Sequence, residues 1–476
     1  MLLKNHDVLK KMSNFILQNL HKMNTKLLIV LLFAGIFSVK ANAFSNPDSS
    51  LNLLDKGIIA EKMFEAKGKF NTGDYRGAIS IYREVIDQNS KHILAHYYSG
   101  EAHLAIKHYD LALEYAEKTK GLITDKPLKE LDLLFGKIYQ KLGKHDEAIA
   151  SLEKYRVGLT EKQISDEEID LMISQCKKAK EVMDAAQPNI AVTKMGPEIN
   201  SPTDDFGLVP SPDGKTLYFT SRRSDTQGSS VDILGDFKFF TDIYVCTWDS
   251  VNGKWNEADN DLAGKLNTEY HESVNYISPD GNMMLVYRNI IDATKSGDIY
   301  FSKRSIKTGK WSEPKSFDKK TINTTFWESS ACLTGDGNTI FFLSERLGGE
   351  GESDIYTSSK VGGKWTQPVS VGSNVNTRYD ENTVYVTPDG RWMFFSSRGH
   401  NSMGGYDIFR SENQAGVWSA PVNLGAPINT VDDDLHFVLT ADKKRAYMST
   451  IAEHGKNERD IYVIDLSNVD ILTLGK

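Results

Sequence analysis

Cysteine is nearly absent from this chain: Cys176, Cys246 and Cys332 are the three in 476 residues. The number is odd and no two are spaced as CxxC, so neither a disulfide framework nor a zinc site follows. Cys332 lies in an apolar run, where a buried, inert thiol is the expected state. Beyond the N-terminal region there is no apolar run of the ~20 residues that a spanning helix needs. No basic stripe with interleaved aromatics appears, which argues against a nucleic-acid partner. G-x-S-x-G, H-E-x-x-H, a P-loop and G-x-G-x-x-G are all missing. His271-Glu272 has no second His at helical spacing. On these grounds the chain is expected not to be an enzyme, and no cofactor or metal is expected.

What is present begins with an export signal. Met23-Asn-Thr-Lys26 precedes thirteen mostly apolar residues, 27–39, and then Ala41-Asn42-Ala43. A charged start, an apolar stretch of this length and an A-x-A site make a secretory signal peptide. Met23 reads as the natural start, residues 1–22 as an upstream extension, and cleavage is expected after Ala43. No Cys lies near that site to carry a lipid.

Residues 55–187 carry a helical period. Ala66, Gly100 and Gly136 are each followed nine residues later by Tyr75, Tyr109 and His145, and then by Ala78, Ala112 and Ala148; the spacings are 34 and 36. Small residues there let paired helices approach closely, and Tyr82 and Tyr115 fill the interface beside them. Gly73 and Gly143 suit tight inter-helix turns. The stretch 164–184 reads as a further amphipathic helix, with Ile169, Met172, Ile173, Cys176 and Met183 on one side, capping the array. The pattern resembles the tetratricopeptide repeat. That resemblance implies a concave groove for a peptide or partner helix. Tyr97, Tyr98, His103 and Tyr139 are candidates to face it, with core packing the preferred reading for each.

A second repeat fills residues 188–476. Asn-Ser or Asn-Thr occurs at Asn200, Asn267, Asn323, Asn376 and Asn429. Five residues after each Asn stands a carboxylate: Asp205, Glu272, Glu328, Glu381 and Asp434. Eight residues further comes a turn Asp: Asp213, Asp280, Asp336, Asp389 and Asp442. Each unit closes with Asp-Ile-Tyr or Asp-Ile-Phe, from Asp242, Asp298, Asp354, Asp407 and Asp460. Short alternating runs separated by turns give four strands per unit, which is the recipe for a propeller blade. Trp255, Trp311, Trp365 and Trp418 mark the outer strand. Ser211-Pro212-Asp213-Gly214 and Ser278-Pro279-Asp280-Gly281, with the later Asp-Ile-Tyr, resemble the WD40-like repeats of TolB-type propellers. Five copies predict five blades, with six, as in TolB itself, the runner-up. The stretch 190–199 has the outer-strand pattern but precedes the first repeat, so it is expected to complete the last blade and leave no free edge. The first unit is longer than the rest, through 224–240, a loop with exposed-looking Phe237, Phe239 and Phe240 that reads equally as a functional insertion or a packed lid.

The five carboxylates are the candidate site. Five-fold equivalence places Asp205, Glu272, Glu328, Glu381 and Asp434 around the central channel or its mouth, where a ring could bind a cation or basic group. The preferred reading is structural: each accepts hydrogen bonds from a turn and joins neighbouring blades. Their equivalence also argues against a glycosidase, which needs carboxylates of different pKa and role. Asp432-Asp433-Asp434 reads as a solvated run.

The expected fold is an N-terminal α-solenoid followed by an all-β propeller. The order of signal peptide, tetratricopeptide repeats and TolB-like propeller resembles exported bacterial modular proteins that add an OmpA-type domain, some associated with type IX secretion. The chain ends at Lys476 without such a domain. The resemblance implies a periplasmic interaction scaffold, outer-membrane-associated as relatives of that kind are, whose partners are other envelope proteins bound through the helical groove and propeller face. Peptidoglycan or outer-membrane association would come only through those partners. Residues 188–476 carry 39 acidic and 29 basic residues, about −10, against about +2 for the first 187, so the propeller should favour a basic surface. The alternative is a carbohydrate-binding or glycoside-hydrolase-like propeller.

Overall fold

A computed structural model describes residues 51–124, 127–158, 163–184, 189–233, 235–290, 297–451 and 458–474. The export signal and its expected cleavage after Ala43 lie outside these residues. The chain divides into two compact units between Phe135 and Gly136.

The helices in chain order are α1 (Leu53–Asn71), α2 (Tyr75–Gln88), α3 (Ile93–Ala105), α4 (Tyr109–Leu122), α5 (Glu130–Lys141), α6 (His145–Gly158) and α7 (Asp166–Asp184). Local chemistry sets several of the ends. Asp74 caps α2 by accepting from Gly77 N at 2.8 Å. A Cβ at Gly77 would sit 2.2 Å from that carboxylate, so glycine is what lets the cap close. Gly73 and Gly143 turn the chain between helices at positive φ. Ala66, Ala78, Ala112 and Ala148 are fully buried. A Cβ at Gly100 would lie 3.2 Å from Leu134, and one at Gly136 would lie 2.8 Å from Leu152. The small residues therefore do set helix separation, as the repeat predicts. Tyr82 packs with Ala66 and Ala78.

The propeller has five blades, each of antiparallel strands. Blade 1 runs β2 (Asp205–Pro210), β3 (Thr216–Ser221), β4 (Asp242–Asp249) and β5 (Lys254–Trp255). Blade 2 runs β6 (His271–Ile277), β7 (Met283–Asn289), β8 (Asp298–Lys303) and β9 (Lys315–Ser316). Blade 3 has β10 (Glu328–Leu333), β11 (Thr339–Ser344), β12 (Asp354–Val361), β13 (Lys364–Trp365) and β14 (Val369–Ser370). Blade 4 has β15 (Glu381–Val386), β16 (Trp392–Ser397), β17 (Asp407–Gln414), β18 (Val417–Trp418) and β19 (Val422–Asn423). Blade 5 has β20 (Leu435–Leu439), β21 (Arg445–Thr450) and β22 (Asp460–Asp465), with β1 (Ala191–Lys194) as its outer strand. The register of β1 runs from Ala191 opposite Asp465 to Lys194 opposite Tyr462. The ring is thus closed by strands from both ends of the domain, and the six-bladed alternative does not hold.

The repeated Asn explains how one blade is fastened to the next. Its side-chain amide pairs with the backbone N–H and C=O of the Ile in the Asp-Ile-Tyr motif: Asn267 with Ile243, Asn323 with Ile299, Asn376 with Ile355, Asn429 with Ile408 and Asn200 with Ile461, all at 2.8–3.0 Å. Each Asn replaces a stretch of strand pairing, which satisfies two buried backbone groups at once. Between blades the core is aromatic. Phe394 stacks on Phe437 at 4.5 Å, and Trp311 Nε1 donates to Tyr218 hydroxyl at 3.2 Å. Cys332 is buried there, and burial pushes its thiol up to about 12. The thiol is buried, as expected.

The helical segment after Gly136 packs on the propeller. Gln175, on α7 and buried, donates to Ser402 hydroxyl at 2.9 Å and accepts from Gln140 at 3.1 Å. Lys141 donates to Val431 C=O at 2.7 Å and lies 3.3 Å from Asp432. Ser402, Val431 and Asp432 belong to connections at the end of the blades where the inner strands begin. So α7 presents Gln175 to the propeller, while Met183 is exposed. The acid run is not a solvated patch: Asp432 and Asp434 are both buried.

Candidate functional site

The five candidate carboxylates stand at equivalent places at the start of the inner strands, and all are buried. Each accepts from the Ser or Thr four residues earlier. Ser201 N–H and hydroxyl bond Asp205 at 2.6 and 2.7 Å. Thr268 bonds Glu272 at 2.9 and 2.5 Å, and Thr324 bonds Glu328 at 2.8 and 2.6 Å. Thr377 bonds Glu381 at 3.2 and 3.0 Å, and Thr430 N–H bonds Asp434 at 2.6 Å. The turn Asp residues do the same at the other end of the strand. Asp213, for instance, accepts from Ser211 hydroxyl at 2.6 Å and Lys215 N at 3.1 Å.

A guanidinium accompanies three of the five. Arg223 lies 3.3 Å from Asp205, Arg288 3.6 Å from Glu272 and Arg346 3.4 Å from Glu328. Each also donates to a carbonyl just before the repeated Asn: Ile199, Leu266 and Ile322. In blade 4 His400 takes over that carbonyl role, bonding Val375 C=O at 2.9 Å. It brings no fixed charge to Glu381. Burial raises the carboxyls accordingly: Glu272 to about 7 and Glu381 to about 8. Asp205 is raised by burial despite Arg223, and Asp434 is raised well above the usual range by burial and then by Asp407.

A cavity of about 310 Å³ opens among the starts of the inner strands, and residues of all five blades line it. None of the five carboxylates is among its lining residues. A register shift in every inner strand explains why. The shifts fall between Phe206 and Val209, Val274 and Tyr276, Glu328 and Ala331, Glu381 and Val384, and Leu435 and Val438. A β-bulge re-aims the side chains around it. In blades 1, 3, 4 and 5 it falls at the residues just after the carboxylate, and in blade 2 at Asn275, three residues after Glu272. Gly207 and His436 take positive φ at these bulges.

The lining is aromatic and polar with little net charge. Phe206, Tyr287 and Trp327 supply rings, and Asn275, Asn289 and Asn382 supply amides. Trp327 Nε1 donates to Tyr287 hydroxyl at 3.1 Å. Arg222 also lines the cavity, but both oxygens of Asp236 hold its guanidinium at 2.7 and 2.6 Å. His271 Nε2 lies 3.1 Å from Asp232, and burial is the first cause lowering its pKa. Burial lowers His436 to about 3, so this ring is neutral over the physiological range. Three residues of the lining each keep one buried side-chain atom without a hydrogen-bond partner among the described residues: Thr220 Oγ1, Ser329 Oγ and His436 Nδ1. Each such group costs about 1–3 kcal/mol when nothing pairs it.

The long loop of blade 1 packs on two lining residues of the cavity, Arg222 and His271. Phe240 is buried and packs on His271 at 4.7 Å, while Val231 bridges Phe239; Phe237 and Phe239 are half-buried. The exposed-looking phenylalanines are thus largely packed, because the loop folds back on itself. A second cavity of about 340 Å³ lies between Trp255, Arg445 and Asp465, at the outer seam where the ring closes. In the helical repeats Tyr97 and His103 are buried, with His103 stacked on Tyr115 at 5.2 Å. Tyr98 and Tyr139 are half-buried. Lys67 Nζ sits 4.0 Å from the Tyr98 ring centre and 4.6 Å from that of Phe70.

The cavity residues were not singled out from sequence, although a signal exists. Within the repeat the carboxylate keeps its charge, but the two positions after it read Phe206-Gly207, Ser273-Val274, Ser329-Ser330, Asn382-Thr383 and Leu435-His436. Positions that must build the blade are uniform, and those facing the axis differ.

Residues 133–155 match the tetratricopeptide repeat model. No curated protein matches the chain. Among solved structures, the propeller is similar to the α-L-arabinofuranosidase PaAbf62A of Podospora anserina, at 14% identity and TM-score 0.35, over 58% of this chain and 96% of that one. Trypanosoma rangeli sialidase is similar at 11% identity and TM-score 0.36, over 59% and 60%. The periplasmic gluconolactonase PpgL of Pseudomonas aeruginosa is similar at 12% identity and TM-score 0.32, over 56% and 74%. These neighbours correct the expectation that the chain is not an enzyme: mostly hydrolases, they include a sialidase, arabinofuranosidases and peptidases. At these identities the likeness is one of fold and carries no activity over to this chain.

Proposed function

We propose that this chain is an exported interaction protein of the bacterial envelope, with the tetratricopeptide repeats holding a peptide or helix of a partner. The observation that carries the reading is the docking of the last helices on the propeller. Gln175 and Lys141 fasten α7 and the end of α5 to connections beside the mouth of the central cavity. The last helices and the propeller thereby form one compact unit, and two weak contacts in one chain gain through effective concentration. The signal-like segment ending at Ala43 supports a periplasmic location, and the TolB-like repeats support a role beside outer-membrane or type IX assemblies, reached through partners.

The test is photo-crosslinking in envelope fractions from a probe at Tyr98, with Lys67→Glu as the competing variant. Defined adducts that weaken in the variant would support the reading. Adducts indifferent to Lys67, or full-length protein retained in the cytosol, would overturn it.

A second reading, carbohydrate binding by the propeller, has one observation in its favour: aromatic faces and neutral amides meet in a cavity whose one lining arginine, Arg222, is paired with Asp236.

A further inference from the structure

We propose that the end of the propeller opposite α7 docks on an anionic phospholipid bilayer. This goes beyond the interaction reading, in which a membrane is reached through partners. Antiparallel pairing fixes which turns share that end. The inner strands begin beside the connections that Gln175 and Lys141 touch, so the Asp-containing turns that follow them lie at the opposite end, and the turns between the third and outer strands return there. Backbone bonds tie the two sets of turns together: Trp248 N–H donates to Lys215 C=O, Arg304 to Asn282, Lys360 to Asn338 and Asn413 to Arg391, at 2.7–2.8 Å. Four successive outer turns each raise one aliphatic residue into solvent: Val251, Ile306, Val361 and Val417 are 64–94% exposed. A lone exposed aliphatic is ordinary. Here one recurs in the same turn of four neighbouring blades, where Gly, Asn, Asp or Ser would serve the turn as well.

The charge of this end is opposite to that of the rest. Its nine turns (211–215, 278–282, 334–338, 387–391 and 440–445; 249–254, 304–310, 360–364 and 413–417), with residues 466–472 in place of a tenth, carry eleven Lys or Arg and seven Asp. That leaves 32 acidic and 18 basic of the 39 and 29 in residues 188–476. All eleven basic residues are exposed. Five of the seven Asp are engaged within their own turns: Asp213, Asp280, Asp336, Asp389 and Asp442 each accept from a Ser or Thr hydroxyl and from a backbone N–H. The aliphatic tips stand on separate blades with lysines between them: Lys307 and Lys310 beside Ile306, Lys360 and Lys364 beside Val361. A protein interface gathers its apolar residues into one desolvated centre. A bilayer takes each tip separately at the boundary of headgroups and acyl chains, while the ammonium groups meet lipid phosphates. The acidic remainder of the propeller is repelled by the same surface, which turns this end toward it.

The full chain is sedimented with vesicles of phosphatidylcholine alone and of phosphatidylcholine with phosphatidylglycerol. The expected result is binding to the anionic vesicles, weakened at least tenfold by Lys307→Glu with Lys310→Glu and about tenfold by Val251→Ser with Ile306→Ser. All four sites are exposed, so melting temperatures should not move and lost binding cannot be lost folding. Acyl-brominated lipid should quench tryptophan fluorescence through Trp248, which is 39% exposed beside these turns, and Trp248→Phe should remove most of that quenching. Equal binding to both vesicles, or binding indifferent to the turn variants, as the apolar segment 27–39 alone would give, overturns the proposal. Absence of vesicle binding overturns it too, and binding of polyglutamate in its place would do so in favour of an acidic protein partner.

Discussion

Replacing Glu381 by Gln should flatten the pH dependence of the propeller's stability without abolishing the fold. Glu381 is buried, bonded to Thr377 and to Ser397 hydroxyl, and has His400 where blades 1 to 3 have arginine. Burial raises its pKa from 4.5 to about 8. The folded chain therefore keeps a proton that the unfolded chain releases. The stability due to this group is complete below the unfolded pKa of about 4.5 and is lost as pH rises through about 8, so it falls with rising pH. One proton gives a slope of about 1.4 kcal/mol per pH unit. Between about pH 5.5 and 7.5 the wild type should lose roughly 2–3 kcal/mol through Glu381 alone. Gln is neutral throughout; its oxygen can accept from Thr377 N–H and its amide can donate to the two hydroxyls. All seven tryptophans lie at or beyond position 248, so tryptophan fluorescence in urea reports the propeller. Glu272 and Asp407, both raised to about 7 by burial, titrate in both proteins and cancel in the difference. The variant should gain on the wild type by ~1.4 kcal/mol per pH unit over this range. Parallel stability curves would refute the reasoning. Glu328→Gln is the contrast: it removes the carboxylate beside Arg346 and should cost about 1.5–3 kcal/mol, the worth of a hydrogen bond to a charged group.

Asn323→Ala should cost about 2–5 kcal/mol in the same urea assay, because it leaves Ile299 N–H and C=O buried without the amide that pairs them at 3.0 and 2.8 Å. The double change Val192→Pro, Thr193→Pro must remove at least one ladder N–H from β1, and should lower the melting temperature by opening blade 5; an unchanged value would show that closure by β1 does not hold the ring. Gln175→Leu breaks the bonds to Ser402 and Gln140 and should speed hydrogen exchange in α7 more than in the inner strands, as read by mass spectrometry. N-terminal sequencing of the protein from a periplasmic fraction should begin at Phe44; an intact Met1 or Met23 would refute the export reading.

Much of the fold was legible because it depends on short-range recurrence. Each blade needs the same turn, the same strand alternation and the same Asn and carboxylate at fixed spacing, so five copies announce five blades. The helix pairs need small residues at one interval, and Ala66, Gly100 and Gly136 stand at it. Even ring closure could be read, since an outer-strand pattern without its own blade at 190–199 had one place to go. The structural part of the candidate site was equally legible: Asp205, Glu272, Glu328, Glu381 and Asp434 were expected to accept from their turns, and they do.

What only the tertiary structure decided is where side chains point once the ring is closed. A one-residue bulge reverses the face a strand residue occupies, and within a single repeat nothing marks Gly207, Ser329 or His436 as axial; only their variation among the five repeats sets them apart. The cavity exists because five such segments, spread over more than two hundred residues, meet at one axis. The docking of Gln175 on Ser402 and the burial of Asp432 by Lys141 are likewise set by distant contacts. Sequence periodicity determines which residues repeat the blade; only the closed ring determines which of the remaining ones share its centre.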